Sequence, residues 1–181
     1  TKHVIESLLT AANEGNANAA WLKAPTSGPA AQRLVLAIDD DLITAERRIK
    51  SSDSEAEREA LARLIYARLG VLDNALQNPD SYLMGQRSSL IDLQLFAFLA
   101  LFDITVRDGF EWGAASVRDY PYQWRYARKL AQKDGFLTAE DRRWIGLSTA
   151  PNIAGISASS DLVEAWDIPF HILEPIDRAL G

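Results

Sequence analysis

The sequence predicts an all-α helical bundle of about five to seven helices. Three observations carry this reading. Apolar residues recur at helical spacing through most of the chain. Ser or Thr stands three residues before Glu or Asp at Ser54/Glu57, Ser89/Asp92 and Thr138/Asp141. This is the spacing of a capping box, in which two side chains satisfy free backbone N–H groups of a helix start. Finally, only Asp92 and Gln94 are polar between Leu90 and Phe102, which marks a helix buried on all sides. No period-two run is long enough for a sheet. The segment Ile168–Ile172 is at most one short strand.

In chain order, Val4, Ile5, Leu8 and Leu9 share a helical face, and Gly15 is a natural stop. Ala24–Ala30 has the composition of a loop. A helix from about Ala30 to Lys50 places Leu34, Ile38, Leu42 and Ile49 near one face, with Asp39, Asp40 and Asp41 on a solvated one. Ser54–Gln77 is a long helix with Leu61, Leu64, Ile65, Leu69, Leu72 and Leu76 as its apolar stripe. Glu55, Glu57 and Glu59 occupy its first turns, where the helix dipole favours negative charge. Asn78-Pro79-Asp80 closes it. Gly85 begins a turn that leads into the central helix. Asp119-Tyr120-Pro121 opens the next helix, with Pro at a position where its missing N–H costs nothing. Trp124, Ala127, Leu130 and Ala131 face inward there, and Gly135 ends it. The Thr138/Asp141 box opens a helix carrying Trp144 and Ile145.

The expected organisation is a single domain. Residues 1–53 supply N-terminal helices and a loop, 54–150 form the core, and 151–181 are an extended tail with one short helix near Ser160–Trp166. Trp21 and Trp166 would pin the flanking segments to the core.

The chain of 181 residues carries a formal net charge of −6 and no basic cluster interleaved with aromatics. That argues against nucleic acid as a partner, since a phosphate backbone needs a basic face. The absence of Cys excludes disulfides, thiolate metal sites and a thiol nucleophile on this chain. The apolar run is shorter than the roughly 20 residues a bilayer requires, so no membrane role is expected. A cytoplasmic location is the default expectation. His3 and His171 lie near opposite ends without ligand spacing, so no metal is expected. There is no Ser-His-Asp arrangement, phosphate loop or dinucleotide fingerprint.

The stretch GQRSSLIDLQLFAFLALFD resembles the C-terminal helical domain of glutathione transferases. There, a Gly, a short turn and Ser/Thr-x-x-Asp open the buried central helix, and Ser89 and Asp92 stand in those positions. Leu101–Asp103 and Val117–Leu130 resemble the glutathionyl-hydroquinone reductase branch. The similarity spans about Tyr82 to Leu130, and Ser54–Gln77 fits the preceding helix of that fold by pattern. Two departures bear on function. The chain shows no βαβ pattern, no cis-Pro-like motif and no Cys, so the glutathione site of the thioredoxin-like half is not expected on these 181 residues. In FDITVRDGF, Val106 and Gly109 replace the branch's Tyr and His, so reductase activity is not expected. No cofactor is expected; glutathione would enter only if a partner chain supplied its site.

Asp92 has two readings, a buried general acid or base and a capping carboxylate paired with Ser89. The box spacing favours the cap. Asp103 and Arg107 stand four apart, as a helix-face salt bridge or as an anchor for a ligand's polar end. Phe110 and Trp112 lie between Gly109 and Gly113, as a core lid or as a ligand wall. Val106 would make that region apolar. The leading expectation is therefore a small apolar or aromatic ligand bound near Asp103, Val106, Arg107, Phe110 and Trp112, with or without catalysis. The alternative is an interaction module or a split-transferase subunit. It would form a homodimer, or a protein partner would cover the face that normally packs on the thioredoxin-like domain.

Overall fold

The computed structural model describes residues 28–105 and 115–133, and these are mostly helical, with no strand among them. The expected helices at either end of the chain, the Thr138/Asp141 box, Gly135 and the 151–181 tail lie outside the described residues.

The first helical rod has three stretches: α1 (Pro29–Ile38), a π-helical segment (Asp39–Thr44) and α2 (Ala45–Ser51). Pro29 occupies the first turn, where its fixed φ suits a helix start. Ala31, Ile38, Leu42, Ala45 and Ile49 are buried along it, and Leu34 packs against them partly buried. The predicted face is therefore present, but the rod is wider-wound at Asp39–Asp41 than a plain α-helix. Asp41 pairs there with Arg68 of the next helix, so this aspartate is not simply solvated.

Next, α3 (Glu55–Ala75) opens as the sequence predicts: the Ser54 hydroxyl accepts from the Glu57 N–H at 3.3 Å. The reciprocal half of the box is different. Glu57 accepts from the Ser52 hydroxyl at 2.8 Å and pairs with Arg48, so it ties α2 to α3. Arg48 first, and Ser52 second, hold the Glu57 carboxyl below its usual range. Leu61, Ala62, Ile65, Leu69, Leu72 and Leu76 are buried. Leu64, which the pattern placed with them, is 38% exposed. At about 100° per residue it falls roughly 110° from the centre of the buried stripe.

A connection leads from α3 to α4 (Leu90–Thr105). Asp80 N–H donates to the Asn78 side chain at 3.0 Å, which turns the chain away after the helix. Tyr82 and Gly85 pair N–H to carbonyl in both directions, at 2.6 and 3.1 Å. Gly85 thus closes a turn rather than beginning one, and its φ of 111° is a conformation that favours glycine. Within Leu90–Phe102 only Leu90, Gln94 and Leu101 are part-exposed; every other residue is buried. Helix α4 packs against α1, against a 3₁₀ turn (Val117–Asp119) and against α5 (Pro121–Ala131). It is the sheathed apolar helix that the sequence predicts.

The 3₁₀ turn begins with a complete capping box from Ser116 and Asp119, which the sequence reading passed over. Helix α5 then buries Trp124, Ala127, Leu130 and Ala131 as expected. It also buries Gln123, Arg125, Tyr126 and Arg128, four polar or partly polar side chains that an apolar pattern does not mark.

Candidate functional site

The connection between α3 and α4, together with α5, forms a polar region rich in hydrogen bonds. Asp92 is its centre. Ser89 N–H and the Ser89 hydroxyl donate to one carboxylate oxygen at 2.6 and 2.7 Å. Leu83 N–H donates to the other at 2.9 Å, and so does the Tyr126 hydroxyl. The Ser89 carbonyl accepts the first helical bond, from Leu93. Asp92 therefore starts α4, fixes the Tyr82–Gly85 turn and reaches across to α5. It is fully buried. Four donors fill its two oxygens, and a carboxylate in that state has no lone pair directed at a reacting group. The Asp92 half of the predicted box is present, while the Ser89 hydroxyl donates to the same carboxylate. Sequence spacing gave the Ser89 partner; Leu83 and Tyr126 carry no local signal. Burial first, then the Asp92 charge, push the Tyr126 hydroxyl well above its ordinary value of 10.0.

A second constellation joins α3 to α5. Tyr120, at the start of α5, offers no side-chain cap. Asp73 of α3 supplies one instead, accepting from the N–H groups of Tyr122 at 2.9 Å and Gln123 at 2.8 Å. Burial raises the Asp73 carboxyl above its usual range, while these N–H groups and the Arg125 charge pull it back. Arg125 in turn donates to the carbonyls of Leu76 at 3.0 Å and Gln77 at 2.6 Å, at the end of α3. The Gln123 side chain donates to the Leu69 carbonyl. Tyr120 nearby is pushed up to about 12 by burial, then by Asp119 and Asp73.

Buried Arg125 and part-buried Lys129 of α5, and part-buried Lys133 two residues beyond it, follow at steps of four. Lys129 donates to the carbonyls of Pro79 at 2.8 Å and Ser81 at 3.2 Å, and its ammonium lies 4.0 Å from the Tyr82 ring centroid. Lys133 donates to the Ser88 hydroxyl, 5.0 Å from the same centroid. Neither the Asp73 cap nor this cationic row was read from the sequence.

An aromatic group stands between α3 and the far end of α4. Tyr66 meets Phe102 edge to face, with centroids 5.7 Å apart and planes at 84°. Phe98 packs on Phe102 at 5.6 Å. Asp103 stands in the last turn of α4, whereas Val106, Arg107, Phe110 and Trp112 lie outside the described residues. Among the described residues no group of three His, Asp or Glu side chains is placed to hold a metal ion, and no helix is long and apolar enough to cross a membrane.

No protein family, curated protein or solved structure matches this chain.

Proposed function

We propose that the chain is a helical domain of glutathione-transferase type that binds a small apolar or aromatic molecule. The ligand sits between α3 and the far end of α4, beside Val106, Phe110 and Trp112, with Asp103 and Arg107 at its polar edge. The observation that supports this reading is the Tyr66–Phe102 edge contact, backed by Phe98. These rings form an aromatic cluster between α3 and the end of α4, and aromatic rings recognise flat apolar ligands by stacking and edge contacts. No cofactor is part of the proposal; glutathione joins only if a separate thioredoxin-like chain supplies its site. The proposed location is cytoplasmic. Intrinsic Trp fluorescence of the full chain, titrated with a panel of aromatic and aliphatic ligands, tests it. Saturable quenching that is lost in Tyr66→Ala supports the reading. A flat response across the panel, with no small molecule co-purifying by mass spectrometry, removes it.

A second reading is an interaction module that forms a homodimer or docks on a thioredoxin-like partner. The motivating observation is the exposure of Val71 (59%) and Leu64 on one side of α3, and of Leu36 (57%) on α1. Light scattering on the purified chain distinguishes the two: a monomer that binds small molecules favours the first reading.

A further inference from the structure

We draw no further inference here: the strongest candidate, the exposed side of α3 that carries Leu64 and Val71, has its flanking Arg63 and Arg68 already paired with Glu59 and Asp41, and nothing in the structure shows what covers it.

Discussion

Asp73 and Arg125 exchange helix ends: the Asp73 carboxylate accepts from free N–H groups in the first turn of α5, and the Arg125 guanidinium donates to the carbonyls of Leu76, the C-cap of α3, and Gln77 just beyond it. Each helix has unsatisfied groups at its terminus, and here each supplies the other's partner. The charges also suit the dipoles, negative at an N-terminus and positive at a C-terminus. The crossing of α3 and α5 is thereby fixed at the point where both helices end.

Replacing Asp73 by Ala should cost about 1–2 kcal/mol, the range for a lost cap. Asp73→Asn keeps an acceptor and should cost less. Its pH dependence follows from the raised carboxyl. Between the ordinary value of 3.8 and the raised folded value, the folded state holds more proton than the unfolded one. Stability from this group therefore falls as pH rises through that window. The wild type should lead Asp73→Asn by more at pH 3 than at pH 7. Urea unfolding of both proteins at the two pH values checks this, and an advantage that grows towards neutrality contradicts it.

Asp92 should be far less tolerant. Its removal leaves four donors without their acceptor in a buried place: two on Ser89, one on Leu83 and one on Tyr126. Each such buried donor costs about 1–3 kcal/mol, and the effects are not additive, so about 3–5 kcal/mol is expected for Asp92→Ala. Ser89→Ala removes one hydroxyl and should cost about 1 kcal/mol. Chemical denaturation of the two variants should separate them clearly. A loss under 1 kcal/mol for Asp92→Ala means the carboxylate does not organise the connection.

Tyr126 gives an alkaline signature. Its hydroxyl is held well above 10.0 by burial and by Asp92. Above pH 10 the folded state keeps a proton that the unfolded state releases. Stability is fully present below that pH and declines above it, by about 1.4 kcal/mol per pH unit while the difference is one proton. Tyr120, raised to about 12, adds the same sign. Lys129 and Lys133, both lowered from 10.5, act oppositely just below that value. Comparing Tyr126→Phe with the parent isolates one term. The variant should be less stable at pH 7 and lose stability less steeply above pH 10 in denaturant midpoints taken across the range.

How far these features were legible depends on the distance between partners. The buried helix at Leu90–Phe102 was readable because its apolar character is local and unbroken. The Ser89–Asp92 pair was readable because its members are three residues apart. Tyr126 lies 34 residues from Asp92, and Tyr122 lies 49 from Asp73, separations at which one sequence carries no pairing signal. Asp73 did leave a trace. A carboxylate in the last turn of a helix opposes that helix's own dipole, and the conflict resolves only when the start of α5 is brought beside it. The π-helical stretch at Asp39–Thr44 has no such trace, since the apolar spacing on either side of it reads as ordinary helix. Leu64 was misplaced because Leu61 and Ile65 flank it, and only packing decides which way a broad stripe turns.

Burial changes sharply along one face-to-face step of α3 (Glu55–Ala75). Leu69 is fully buried and Val71, two residues on, is largely exposed. Leu69→Ala should cost about 2–5 kcal/mol, through lost burial and the cavity left behind. Val71→Lys should change stability by no more than about 0.5 kcal/mol, because a surface change away from caps and networks does little. If the exposed side of α3 joins two copies of the chain, Val71→Lys should also turn a dimer into a monomer in light scattering, without altering the unfolding midpoint of the monomer. A dimer that survives Val71→Lys together with Leu36→Lys places the contact elsewhere. A large loss of stability in the Val71 variant alone would mean that this side of α3 is covered within the chain itself.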